Sequence, residues 1–402
     1  MRFKYEAINQ AGKKQKGIVE ALTKRSAIEI LIHNNLRVLS LKELQQIKML
    51  DDIQRLWEGV SARDFVMFSR QLAVLIEAKV PLMVALESIA AQLDNRFFAM
   101  RIKAIVAEID GGSSFSDALS KHKDTFSDFY VNMVKAGEAS GNLQKSLTDL
   151  ADNIEKNYEL TSKLKSAMYY PAFILTAMLG VGFIVMTNVM PPLLSMLRET
   201  KAKIPLQTKI LMAVSDFLTN YWWLVIPFVL VAIAGMIYYI RTEDGRKEFD
   251  QAILKIPIVG KILKNIYIAR FAENLATLVS SGLPITNALL ITSDVVGNEV
   301  FRAIIKEAAE EVKKGGSISK IFDKYVLMPP VVVQMIHIGE STGRIDYSLS
   351  KVTDFYAKEA DRMVKNFTTL IEPVIMVILA GAVGVLVSAV ILPIYQVAQG
   401  IK

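Results

Sequence analysis

Three stretches of this sequence carry no Asp, Glu, Lys, Arg or His, and each is long enough to cross a bilayer. They are PAFILTAMLGVGFIVMTNVMPPLLSML from Pro171, YWWLVIPFVLVAIAGMIYYI from Tyr221, and PVIMVILAGAVGVLVSAVILPIYQVAQGI from Pro373. A helix of about 20 mostly apolar residues spans the hydrocarbon core. Spans are therefore predicted at 169–197, 221–240 and 372–398. Tyr221, Trp222 and Trp223 at one end of the second stretch, and Tyr238 and Tyr239 at the other, suit the two membrane interfaces. The chain is 52% hydrophobic but still 22% charged, so its apolar surplus is concentrated rather than spread out. Pumps and ion-coupled transporters usually place ionisable groups at membrane depth. Their absence here, and the small number of spans, disfavour a transporter or channel subunit, which stays as the competing reading.

The chain also repeats itself. FSRQLAVLIEAKVPLMVAL from Phe68 answers FAENLATLVSSGLPITNAL from Phe271, an offset of 203. GGSSFSDAL from Gly111 answers GGSISKIF from Gly315, and VKAGEASGNL from Val134 answers IHIGESTGRI from Ile336. Beyond these turns, Leu143, Leu147, Leu150 and Ile154 match Ile345, Leu349, Val352 and Tyr356 at helical spacing, and Pro171 matches Pro373. Each copy reads as a helical bundle, at 61–168 and 265–371, followed by its own span. Proline suits a first helical turn, so a kinked or restarted helix is expected at Pro171 and Pro373. The middle span has no counterpart. It returns the chain, so that both bundles lie on one face.

The fold class is thus mainly α, an integral membrane protein with three transmembrane helices and two duplicated helical bundles. A small N-terminal α/β unit covers 1–46. Within it FKYEAI, GIVEAL and LRVLSLKEL read as strands and SAIEILIHNN as a helix. Residues 47–60 and 241–264 read as linkers and 198–220 as a short periplasmic loop. The segment MRFKYEAINQAGKK lacks the apolar core of a signal peptide. Ten basic residues near the span ends, among them Lys163, Arg241 and Lys365, fall on the proposed inner side, against five outside. This bias predicts cytoplasmic bundles and a periplasmic C-terminus.

Little of the sequence points to catalysis. There is no cysteine, which excludes thiolate chemistry and Cys-type metal sites. His33, His122 and His337 lie far apart in sequence. Gly339-Glu340-Ser341-Thr342-Gly343 matches a G-x-S-x-G nucleophile pattern, but its counterpart Gly137-Glu138-Ala139-Ser140-Gly141 puts Ala139 at the serine position. Both read better as tight turns in which glycines supply positive φ and the glutamate favours the dipole of the following helix. Gly12-Lys13-Lys14-Gln15-Lys16-Gly17 starts like a phosphate loop but continues Ile18-Val19. Asp149, Asp152 and Glu155 read as a wet helix face rather than a calcium site. No catalytic, cofactor or metal residues are predicted. Ala380, Gly384 and Ser388 form a small-residue stripe that admits a close helix, in this chain or another. Asn188 in the first span reads either as a hydrogen-bonding group across helices or as a residue near the membrane interface. Nucleic-acid binding has no support, since no basic run is interleaved with aromatics.

These features resemble the type II secretion protein F family, the inner-membrane platform proteins of type II secretion systems and type IV pili. The resemblance rests on the N-terminal FKYEAINQAGKKQKGIVEA, both leucine-rich segments leading to Pro81 and Pro284, both G-E-x-x-G turns, and the proline-led spans. Lys79-Val80-Pro81 departs from the family's usual form, which Gly282-Leu283-Pro284 keeps. The resemblance implies a non-enzymatic scaffold without cofactors in the bacterial inner membrane. It further implies coupling of a hexameric cytoplasmic ATPase to the addition of pilin or pseudopilin subunits, contacts with other inner-membrane assembly components, and a homo-oligomer.

Overall fold

A computed structural model describes residues 2–8, 14–20, 37–43, 59–192, 195 and 206–399. The chain divides into two compact units, one formed by the N-terminal 61 residues with 93–100, the other by 62–92 and 101–402. In the first unit β1 (Arg2–Ile8), β2 (Lys14–Glu20) and β3 (Arg37–Glu43) make an antiparallel sheet ordered β2-β1-β3. Tyr5 pairs with Gly17, and Phe3 lies between Val19 and Glu43. A register shift between Glu6 and Ala7 marks a bulge against β3. Residues 14–17 are therefore strand, not the phosphate loop their glycine spacing imitates. The helix expected over 26–35 and the link over 47–58 lie outside the described residues.

The second unit is helical and repeats one order of elements. The first copy runs α1 (Ala62–Glu77), α2 (Leu82–Gln92), α3 (Arg96–Asp110, whose first residues belong to the other unit), α4 (Phe115–Ser120), α5 (Asp128–Ala139) and α6 (Leu143–Ile184). Then come α7 (Leu206–Arg241) and α8 (Glu243–Lys255). The second copy runs α9 (Val259–Ser280), α10 (Ile285–Val295), α11 (Glu299–Lys313), α12 (Ile318–Phe322), α13 (Pro330–Thr342) and α14 (Ile345–Gln399). The aligned residues Phe68, Leu72, Ala85 and Leu86, and Phe271, Leu275, Ala288 and Leu289, are all fully buried. The recurring apolar spacing is thus the core-facing stripe of both bundles. Helix starts are capped as their residue types dictate. Ser127 Oγ accepts from Tyr130 N at 3.3 Å, and Asn298 Oδ1 accepts from Val300 N at 3.0 Å.

The turn after the first helix shows what the departure at Lys79 means. Gly282 has φ 86° and Lys79 has φ 61°. Val80 N donates to Leu75 O at 3.0 Å, and Leu283 N to Leu278 O at 3.1 Å, so the same helix end is built twice. A residue with a Cβ in the left-handed region costs about 1–2 kcal/mol, partly offset by the backbone entropy that glycine loses on folding. Lys79→Gly is expected to raise stability by about 0.5–1 kcal/mol. An unchanged or lower melting temperature of the detergent-solubilised variant would contradict this.

Among the described residues three helices are long and apolar enough to cross a membrane: Leu143–Pro192, Met212–Arg241 and Ile345–Val385. Their apolar side chains point outward, with Phe173 70%, Phe228 68% and Val377 72% exposed. A soluble monomer rarely exposes apolar surface so continuously; lipid is the matching solvent.

Three expectations about the segments around the spans are corrected. Of the kinked or restarted helix expected at Pro171 and Pro373, the restart is excluded: both prolines lie inside α6 and α14, which run on through them. Proline removes one backbone donor, and the continuous helix on either side absorbs that loss. The segment 198–220, read as loop, is helical from Leu206, and 241–264, read as linker, carries α8 and the start of α9. Charge and polarity there mark surface exposure, not absence of helix. Asn188 also bonds within its own helix, to Ile184 O at 3.2 Å and Thr187 Oγ1 at 2.9 Å. Instead a π-helical turn at Val185–Val189 alters the carbonyl pattern, and buried Ser215 of α7 donates to Met186 O at 2.7 Å.

Candidate functional site

The paired G-E-x-x-G segments close the two bundles in the same way. Each glutamate sits in the last turn of a helix, Glu138 in α5 and Glu340 in α13. Its carboxylate does not serve the helix that follows, as expected from the sequence, but reaches back to a short helix about 20 residues earlier. Glu138 accepts from Phe115 N at 2.7 Å and from Ser116 N at 3.1 Å at the start of α4. Glu340 accepts from Ile318 N at 2.5 Å, Ser319 N at 3.4 Å and Ser319 Oγ at 2.6 Å at the start of α12. Ser114 and Ser317 complete the caps, accepting from Asp117 N at 3.1 Å and Lys320 N at 3.3 Å. A negative charge meeting otherwise unpaired N–H groups at the positive end of a helix is favourable on both counts.

The glycines have distinct tasks. Gly141 and Gly343 have φ of 67° and 68°, so they reverse the chain before α6 and α14. At Gly137 an added Cβ would lie 2.7 Å from Ser146 Cβ, and at Gly339 it would lie 2.9 Å from Ile345 Cα. These two positions let consecutive helices cross in close contact. Ser341 does not sit at the strand-to-helix turn that a G-x-S-x-G nucleophile occupies. It lies on α13, and its Oγ donates to His337 O at 2.8 Å within the same helix. His122 is buried beside Glu108, far along the chain from exposed His337. Asp152 and Glu155 both accept from Arg70, Asp152 at 2.7 Å.

The two bundles meet along α6, α9 and α14. Asn153 Nδ2 donates to Thr277 Oγ1 at 3.3 Å, and Lys156 pairs with Glu273 at 2.9 Å. Lys163 reaches Asp361 at 3.4 Å. Arg270 donates to Thr161 Oγ1. Burial pulls the Arg270 guanidinium below its usual range. Leu164 and Ala167 pack on Ile262, Ile266, Ala360 and Val364. Lys156 lies by Asp354, and seven residues on Lys163 lies by Asp361, so α6 and α14 run side by side in the same direction toward their spans. A cleft of about 480 Å³ opens between the bundles, lined by charges that include Lys156, Glu273, Asp354 and Asp361.

The residues expected to pack within the membrane do not come together. Pro171 is buried, whereas Pro373 and Ala380 are exposed. An added Cβ at Gly384 would meet no atom within 4 Å. The stripe thus faces no other helix of this chain among the described residues; the side chain of Ser388 lies outside them. Ser114, Ser116, Ser317 and Ser319 were not singled out by sequence. The Ser-x-Ser recurring after each Gly-Gly pair was their one visible signal.

The model of the Type II secretion system (T2SS), protein F family matches residues 68–191 and 271–393, and that of its N-terminal domain matches 1–42. The matched repeats coincide with the two bundle-plus-span copies described above. The type IV pilus assembly protein PilC of Thermus thermophilus is 36% identical over 403 residues, covering 98% of each chain. PilC of Myxococcus xanthus is 33% identical, covering 100% of this chain and 96% of its own. The type II secretion system protein F of Pseudomonas aeruginosa is 29% identical over 99% of this chain and 98% of its own. On the evidence of its duplicated bundles, three apolar helices and these full-length matches, the chain belongs to the type II secretion system protein F family.

Proposed function

We propose that the chain is a non-enzymatic platform of the bacterial inner membrane that couples a hexameric cytoplasmic ATPase to the addition of pilin or pseudopilin subunits. One observation carries this reading: each bundle is joined to its span by a single unbroken helix. α6 has 42 residues and α14 has 55. At 1.5 Å per residue they are rods of about 60 and 80 Å. A push on either bundle is therefore delivered into the bilayer without a flexible joint. The paired bundles offer the ATPase and other inner-membrane components a doubled surface. The outward apolar faces of the spans suit pilin helices or further copies of this chain. The excess of basic residues beside the bundles supports their cytoplasmic placement, with a periplasmic C-terminus. A role in solute transport finds less support, because the apolar stretches 171–197, 221–240 and 373–401 carry no Asp, Glu, Lys, Arg or His.

Deleting the gene is expected to abolish surface filaments or exoprotein release while leaving pilin synthesis intact. A second strain tests the lever itself: three glycines inserted between Ala167 and Met168 should leave the protein in the membrane at normal level but prevent assembly. Normal assembly in either strain would overturn the proposal.

A further inference from the structure

At the foot of α7 the chain turns through Thr242 into α8, and α11 packs alongside. Together they form a groove of about 500 Å³. Five of its lining residues are cations: Arg241, Arg246, Lys247, Arg302 and Lys306. Only two lining carboxylates, Glu243 and Glu299, oppose them. Glu299 is engaged by Arg246 at 3.6 Å and Arg302 at 3.2 Å. Asp294, behind the groove, takes Arg302 at 2.8 Å and Lys306 at 3.6 Å. Arg241 and Lys247 make no ion pair among the described residues, and both are exposed. The local balance is thus positive, with two cations uncommitted.

Height decides what such a groove meets. Arg241 is the last residue of the apolar span Met212–Arg241. Tyr238 and Tyr239, of the amphipathic type that marks the headgroup layer, come just before it. The Tyr239 hydroxyl donates to Glu248 of α8 at 2.8 Å, tying that helix to the end of the span. The groove therefore opens in the layer where phospholipid phosphates lie.

We propose that this groove binds the phosphate headgroup of an anionic phospholipid, with Arg241 and Lys247 as its principal contacts. The phosphate neutralises the surplus charge, and the acyl chains run along the apolar face of α7, where Ile233, Met236 and Ile237 are exposed. A lipid held there braces α8 and α11, and so the second bundle, against the returning span.

Native mass spectrometry of the full-length chain in detergent, titrated with phosphatidylglycerol, tests this. Each cation near the phosphate contributes about a fivefold factor, so R241Q/K247Q should bind about 25-fold more weakly. The charge-preserving R241K/K247R should bind within a few-fold of wild type. Lys103→Gln, on exposed surface of the first bundle, should change nothing, and phosphatidylcholine should be retained poorly by every form. Equal retention of phosphatidylglycerol by wild type and R241Q/K247Q would overturn the proposal. So would a similar loss in R241K/K247R or in Lys103→Gln. Glycerol 3-phosphate competing as well as the lipid would assign the groove to a soluble phosphate instead and overturn the lipid assignment.

Discussion

A chain with Ala at both Glu138 and Glu340 is expected to lose about 3–6 kcal/mol of stability and to fail in assembly. Each carboxylate caps a short helix through at least two backbone N–H groups. Hydrogen bonds to a charged acceptor are worth about 1.5–3 kcal/mol in such settings, and the N–H groups left behind are partly shielded from water. The two sites share no partner, so their losses should add. Glu340→Ala should cost more than Glu138→Ala, because Glu340 also takes the Ser319 hydroxyl at 2.6 Å. Glutamine at either position keeps one acceptor oxygen and should recover part of the loss. Denaturant or thermal unfolding of the detergent-solubilised protein checks all of this. A double variant as stable as wild type would remove the two turns from the list of structural anchors.

Phe271→Ala is the single substitution with the largest expected cost, about 3–5 kcal/mol. Phe271 is fully buried on α9 and meets the Phe322 ring edge-on, with centroids 5.1 Å apart. Truncation leaves a cavity that the surrounding helices cannot fill. The same helix carries Glu273 and Arg270 to the first bundle, so the damage reaches the interface between the copies. Phe68→Ala, its counterpart, removes a fully buried ring that faces Phe126 at 5.9 Å and should cost a similar amount. Phe271→Leu keeps most of the volume and should cost less than half as much as Phe271→Ala. Protein level in membranes, set beside unfolding of the purified variants, would show this order. A Phe271→Ala protein of wild-type stability would mean that the duplicated apolar stripe is not the core.

Some features were legible because they depend on neighbours along the chain. The spans follow from uninterrupted apolar runs, which only lipid or a deep core accepts. The bundles follow from apolar spacing that recurs twice, and those very positions are buried in both copies. The strands of the N-terminal unit follow from short apolar alternation around a turn. Lys79 could be seen to depart from Gly282, and the structure adds that the backbone keeps the same left-handed turn at both.

Other features depend on residues far apart in the chain and so needed the fold. Local rules placed Glu138 and Glu340 at the helix that comes next; the helix-turn-helix geometry aims them at one already built. Proline statistics favoured a kink or a restart at Pro171 and Pro373, and the helices run on through both without a restart. Asn188 read as a bridge between helices or as a residue near the interface; it bonds within its own helix, and Ser215 makes the bond across, to Met186 O in a π turn. The amino-acid order alone determined what is apolar, what repeats and which way each helix must face, since these are properties of periodicity. Which side chain completes which helix, and how a bundle connects to its span, were decided only in three dimensions, because hydrogen-bond partners and close helix crossings are chosen by distance in space.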